Sequence, residues 1–322
     1  MRAVVCESFG APEQLREVQV PRPAPGAGEV LVEVAATGVG YVDGLLVAGR
    51  YQVKPSLPYY PCSEFAGTVA AVGADIAHIE VGQRVFGSAN AALADYLTVA
   101  GSQCFATPTA ISDSAAASLF INYLTALYGL DSCGQLRAGE TVLVLGAAGG
   151  VGSAAVAMAK AFGARVVAAA SSAAKREAAL AVGADAAVDY SVADWRDALR
   201  AECPDGLQMV YDPVGGAVAE PALRSLAPGG RFLVVGFASG EIPKVALNLA
   251  LLKRCSIVGV DWGGEARADP ELNVGLMRRL LEMLDAGRLR VAPVSERPAA
   301  QFVQAFEDQL AGRIIGKLVL TR

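Results

Sequence analysis

The segment that most constrains this chain is Val142-Leu143-Val144-Leu145-Gly146-Ala147-Ala148-Gly149-Gly150-Val151-Gly152, an apolar run that passes through a glycine-rich turn into a run of small residues. The apolar stretch bounded by glycine reads as a buried strand, and the small-residue run after it as a helix. Such a turn lets the backbone approach a pyrophosphate closely, and the helix behind it offers N–H groups and the positive end of its dipole. Ala147 stands where the first glycine of the usual pattern would be, with Gly149 and Gly152 in the other two places. Taken alone the turn is a weak signal, and its context gives it meaning.

That context is a regular alternation from Glu140 onward: ETVLVLG, GVGSAAVAMAKAFG, ARVVAAAS, AAKREAALAVG, DAAVDY, DWRDALRAE, LQMVYDPV, EPALRSLA and GGRFLVVGF. The strand segments are mostly Val, Leu and Ala without polar alternation, which predicts a parallel sheet covered on both faces. Strand and helix in strict turn predict a doubly wound α/β fold. The composition agrees, since 53% hydrophobic and 18% charged residues supply a deep core and exclude a disordered chain.

Residues 3–99 have a different texture. Short apolar runs, among them AVVC, VLVEVAATGV, FAGTVAAVGADI, GQRVFG and ADYLTV, are separated by Gly and Pro. This predicts a β-rich domain of partly barrel character. Pro21, Pro23 and Pro25 read as a stiff extended connector. A helix is expected over 113–130, opened by a cap between Ser112 and Ser114. After a strand at 256–260, helices over 269–286 and 301–310 and the closing strand KLVLT are expected to complete the first domain. At 322 residues the chain exceeds what one core usually holds. The expected division is therefore 1–122 with 266–322 as one domain, and 123–265 as the dinucleotide-binding domain.

The residues after the second strand of the α/β series indicate which dinucleotide. An acid there would accept from the ribose hydroxyls and repel a 2′-phosphate. This chain has Ser171 and Ser172, followed by Lys175 and Arg176, which points to NADPH. The alternative, that the two cations form only a solvated helix face, stays open at this stage.

Several classes are excluded. A formal charge of −5 provides no positive field for nucleic acid. The most apolar stretches are broken by Gly, Lys, Arg or Asn well short of a membrane span, and the N-terminus reaches Glu7 before any signal-type run. No membrane insertion and a cytoplasmic location are expected. Cys6, Cys62, Cys104, Cys133, Cys203 and Cys255 form no CxxC pair and read as buried thiols. The single histidine, His78, has no cysteine near it, so neither a zinc ligand set nor a Ser-His-Asp triad can be assembled. A metal-free site is expected. Polar handles remain in Tyr41 and Asp43 of GVGYVDG, Tyr51 of AGRYQ, and Tyr59 and Tyr60 of LPYYP. Tyr41 and Tyr51 are the candidate catalytic residues, as proton donors or stacking walls. Each is equally an ordinary packing tyrosine by sequence alone.

As a whole the residues resemble the zinc-independent quinone oxidoreductases of the medium-chain dehydrogenase/reductase superfamily, relatives of zeta-crystallin. The resemblance is carried by PGAGEVLVEVAATGV, GRYQVKPSLPYYP, EFAGTVAAVGADI, NYLTALYGL, GETVLVLGAAGGVG, GARVVAAASS, DPVGG, GGRFLVVGFASGEIPK, LNLALLKRCSIVGVDWG and GRIIGKLVL, in the family's order. It implies a GroES-like catalytic domain and a Rossmann domain with a cleft between them, NADPH as hydride donor, a small-molecule electron acceptor and a homodimer. It implies cofactor contacts from Thr125, Gly149, Gly150, Val151, Gly152, Ser171, Lys175, Tyr190, Gly236, Phe237 and Lys317. Where zinc-dependent cousins carry a Cys and a His ligand, this sequence has Gly40 or Tyr41, and Ser63; their four-cysteine lobe is absent too. The family usually has Asn at the position of Gly40. Three functions follow as expectations: hydride transfer to a quinone or similar flat electrophile, reduction of an enone or enoyl thioester, and nucleotide binding without turnover.

Overall fold

The run Thr141–Leu145 is apolar from Val142 onward because both of its faces are covered, and Val142 to Leu145 are fully buried. It lies inside a six-stranded sheet in the order Ala186–Asp189, Arg165–Ala170, Thr141–Leu145, Leu207–Asp212, Leu226–Val234, Ser256–Gly259. Every pairing in it is parallel. The chain starts in the middle, builds outward to one side, then crosses to build the other. The loops after Thr141–Leu145 and Leu207–Asp212 therefore diverge at the switch point where doubly wound sheets bind ligands. Leu143, Leu145, Val167, Val210 and Phe232 form the centre of one core, each side chain contributing about 1.5–3 kcal/mol on burial.

The computed structural model describes residues 1–322, the side chain of Pro270 excepted, and these divide into two units, 1–121 with 293–322, and 122–292. In the first unit the long strand Glu29–Val39 is the hub. It pairs antiparallel with Glu64–Val72, Tyr96–Ala100 and Lys317–Thr321. Arg84–Ser88, Cys104–Ala106 and Val294–Pro298 complete that sheet, and Arg2–Val5 with Arg16–Gln19 makes a separate pair. Val30, Val32, Phe65, Phe306 and Leu318 centre its core. Strand register fixes two neighbours at the end of the hub: Glu64 lies opposite Gly38 on one side, and Leu318 opposite Val39 on the other.

The structure differs from the sequence-based expectation in two places. The helix expected over 113–130 is divided into Asp113–Ala116 and Phe120–Leu127, with a wider turn over Tyr128–Cys133; Ser112 caps the first piece by accepting the Ala115 N–H at 3.2 Å. The return to the first unit falls at Pro293 rather than at 266. Helix Pro270–Asp285 stays with the parallel-sheet unit because Arg279 pairs with Asp131 and lies over the Phe162 ring at 5.6 Å. Side-chain partners set that boundary, and chain order does not reveal them. No described helix is long and apolar enough to cross a membrane.

Candidate cofactor and acceptor sites

The glycine-rich turn has the geometry of an anion cradle. Gly146 turns the chain at φ +59°, a conformation that disfavours any side chain. Helix Gly150–Ala161 then starts from Gly149, and among the described residues no side chain caps it. Its first N–H groups have no intrahelical acceptor and face a positive dipole end. A Cβ at Gly149 would meet only the Gly146 carbonyl, at 3.5 Å, so the space in front of the turn is open. A Cβ at Gly152 would lie 2.1 Å from the same carbonyl, so the helix seats on the strand end only because that residue has no side chain. These residues fit a dinucleotide pyrophosphate. The tight turn is made by Gly146, one residue before the position that the sequence pattern assigns to Ala147.

At the end of the neighbouring strand Ser171 is exposed, and Tyr190 at the end of the next strand is half-buried; burial raises its hydroxyl and Ser171 pulls it down. Ser172 caps helix Ala173–Val182 by accepting the Lys175 N–H at 3.4 Å. The two cations read together in the sequence part company here. Lys175 stays half-buried near this cap, whereas Arg176 pairs with Asp189 at 2.6 Å. The loops beyond the next strands come close as well. The Gly146 position meets a Val214 methyl, Gly236 sits against Pro213, and Phe237 lies 40% exposed. Thr125 is on helix Phe120–Leu127, and one turn earlier Asn122 is buried with its amide beside Gly150. Sequence reading passed over Asn122. Its only signal was a polar residue inside the apolar stretch LFINYL.

In the other unit, Tyr41 begins helix Tyr41–Val47 and is half-buried, as are Tyr51 and Tyr59. Gly40 donates its N–H to Asp43 Oδ2 at 2.7 Å, closing the first turn. Asp43, Glu64 and Lys317 are all buried, at 5%, 1% and 4% exposure. Lys317 donates to Glu64, whose other oxygen accepts the Ile121 N–H at 2.8 Å. The resemblance implies a cofactor contact from Lys317, whose ammonium pairs with Glu64 inside the β-rich unit. Burial raises the Asp43 carboxyl to about 6; Lys317 and the Gly40 N–H pull it down, and Glu64 pushes it up. Burial, then the nearby Asp43, holds the Tyr59 hydroxyl protonated, and burial does the same for the Cys62 thiol. Sequence reading also missed Glu64, a charge at the head of the apolar strand EFAGTVAAV. His78 is exposed in a turn, with Nε2 at 3.3 Å from the Gly101 carbonyl. Among the described residues no group of three or more His, Cys, Asp or Glu is arranged to hold a metal.

Comparison with known proteins gives the chain's relatives. Residues 26–177 match the alcohol dehydrogenase GroES-like domain, and residues 150–278 match the zinc-binding dehydrogenase family. Quinone oxidoreductase-like protein 2 of Rattus norvegicus is 40% identical, covering 99% of this chain and 92% of that protein. Escherichia coli quinone oxidoreductase complexed with NADPH has a TM-score of 0.90 at 28% identity over the whole of both chains. The CurK enoyl reductase has a TM-score of 0.89 at 27% identity, over 99% of this chain and 98% of that one.

Proposed function

The chain belongs to the quinone oxidoreductase-like proteins of the medium-chain dehydrogenase/reductase superfamily and is an NADPH-dependent oxidoreductase; from that footing we propose that it reduces a quinone or similar flat electrophile without a metal. NADPH supplies the hydride when bound, and the chain's own residues hold it and orient the acceptor. The observation that carries this reading is the open turn Gly149 to Gly152 at the switch point, with Ser171 and Tyr190 directly following the two neighbouring strands. In this reading the backbone of Gly149, Gly150, Val151 and Gly152 binds the pyrophosphate. Ser171, Lys175 and Tyr190 take the 2′-phosphate, and Thr125, Gly236 and Phe237 flank the rest of the dinucleotide.

The test follows the absorbance of reduced nicotinamide while a panel of quinones is supplied. Acceptor-dependent oxidation of NADPH is expected; tight NADPH binding with no turnover on any acceptor would overturn it. A second reading is supported by the likeness to an enoyl reductase: reduction of an enone or enoyl thioester with Tyr41 or Tyr51 as proton donor. Turnover of 2-alkenals or acryloyl thioesters above that of quinones selects it.

The same reading includes a homodimer and a cytoplasmic location. The edge strand Ser256–Gly259 and the helix Asn248–Lys253 before it support a self-association face, because Leu247, Leu251 and Leu252 are 79%, 77% and 70% exposed. Light scattering is expected to give twice the chain mass for the wild type and the single mass for Leu251→Glu. Six free cysteines support a reducing compartment.

A further inference from the structure

Asn122 is the third residue of helix Phe120–Leu127 and is 5% exposed, a polar side chain in the otherwise apolar stretch LFINYL. Packing alone does not call for it. Inside a helix a short amide competes with the backbone, and burial takes away the water that would satisfy it. Buried amides of this kind normally hold a neighbouring group. Here no described group hydrogen-bonds the Asn122 side chain. Nor is the amide sealed off, since the described side-chain atoms that are both enclosed and unpaired are Thr107 Oγ1, the Tyr211 hydroxyl and Gln309 Oε1. Its hydrogen-bonding capacity stays open to a ligand.

The position of the amide indicates which ligand. A Cβ on Gly150 would have the Asn122 amide as all three of its nearest neighbours, with Nδ2 at 2.8 Å, Cγ at 3.5 Å and Oδ1 at 3.6 Å. Gly150 is the first residue of helix Gly150–Ala161, so its missing side chain gives the amide a place beside the unpaired N–H groups of that helix start. No charged side chain occurs between Gly146 and Ala159. The other polar side chain in the first turn, Ser153, is 4% exposed and donates its hydroxyl to the Gly150 carbonyl at 3.1 Å. Asn122 is left as the unpaired side-chain donor at the cradle.

We propose that Asn122 is a side-chain ligand of the dinucleotide pyrophosphate, its Nδ2–H donating to a phosphate oxygen alongside the backbone N–H groups of Gly150 and Val151. This deepens the assignment of the pyrophosphate to the glycine-rich turn, and it rests on that reading. A pyrophosphate brings negative charge to a cradle that has only neutral donors, and a hydrogen bond to a charged acceptor is stronger than one between neutral groups. The amide is already dry and held by its helix in the free protein, so little further ordering is needed when the anion arrives. Leaving it unpaired destabilises the free protein, and binding restores the missing bond. An apolar residue of similar size at this position would reverse both effects.

The experiment titrates wild type, Asn122→Leu and Asn122→Asp calorimetrically with NADPH, NADH and ADP-ribose, the last of which keeps the pyrophosphate without the nicotinamide. Asn122→Leu is expected to weaken all three about tenfold, in contrast to a residue that reads the 2′-phosphate and spares NADH. Asn122→Asp is expected to weaken them further, because a carboxylate repels the phosphates, whereas a ribose hydroxyl would accept it as a partner. Without ligand, the thermal midpoint of Asn122→Leu is expected to match or exceed that of wild type, and saturating NADPH is expected to raise it by less. Wild-type affinity in either variant, a loss with NADPH and NADH that is absent with ADP-ribose, or a lowered midpoint of Asn122→Leu with unchanged affinity would overturn the assignment. Failure of the wild type to bind any of the three would remove the cofactor-site reading beneath it, and the assignment with it.

Discussion

Two glycine-bearing segments, Gly146 to Gly152 in the parallel-sheet unit and Gly38 to Gly40 at the end of the hub strand of the β-rich unit, contrast in how they build polarity. In the first, glycine exposes the backbone, and the polar groups are peptide N–H groups at a helix start. In the second, glycine makes room for side chains, and the polar groups are Asp43, Glu64 and Lys317. The first turn works for any sequence that keeps its glycines in register. The second works only when residues from three distant parts of the chain meet. A backbone site is inexpensive to bury because its carbonyls and remaining amides are already paired. A side-chain site of charges costs desolvation that only mutual pairing offsets.

This contrast is most exposed to Lys317→Met. Leaving Glu64 buried without its cation is expected to cost about 3–5 kcal/mol of stability by urea titration, and Lys317→Met with Glu64→Leu is expected to recover most of it. A single variant as stable as wild type would mean that the pair is not the cost-bearing element of its unit. Next in size is Gly152→Val. The Cβ would collide with the Gly146 carbonyl at 2.1 Å, and displacement of the helix is expected to cost about 1–3 kcal/mol together with at least about tenfold in NADPH affinity. Unchanged NADPH titration in that variant would sever the turn from the cofactor.

A smaller effect comes from Asp43, and its sign is definite. Its folded value of about 6 exceeds the unfolded one, so the native state takes up a proton as pH falls through that range, and stability rises with acidification. Thermal unfolding of the wild type is expected to gain about 1 kcal/mol between pH 7 and pH 5 relative to Asp43→Asn. Parallel curves would show that Asp43 is not the group titrating there. The smallest expected effect is that of Lys175→Ala, about 1 kcal/mol or roughly fivefold in the calorimetric Kd for NADPH, because a half-buried cation is partly screened. NADH binding is expected to stay the same. Equal losses for both dinucleotides would mean that Lys175 does not read the 2′-phosphate.

The cradle was legible because it is local. Val142 to Gly152 lie within one strand, one turn and one helix start, and the preference of glycine for φ +59° at position 146 acts over a few bonds. Even there the sequence put the tight turn one residue late, at Ala147, since pattern alone does not reveal which residue carries the positive φ. Arg176 stands beside Lys175 in the sequence, and only the fold brings Asp189 within 2.6 Å of it. Asn122 and Glu64 left little trace, being single polar residues in apolar runs whose partners are distant in sequence.

By itself the sequence determined the doubly wound sheet, the β-rich companion unit and the glycine-rich turn into its helix, because hydrophobic periodicity and glycine placement are properties of neighbouring residues. Tertiary structure alone decided that helix Pro270–Asp285 belongs with the parallel sheet, and that the chain's last strand delivers Lys317 to Glu64. Strand register between segments separated by hundreds of residues sets those meetings, and no local preference encodes it.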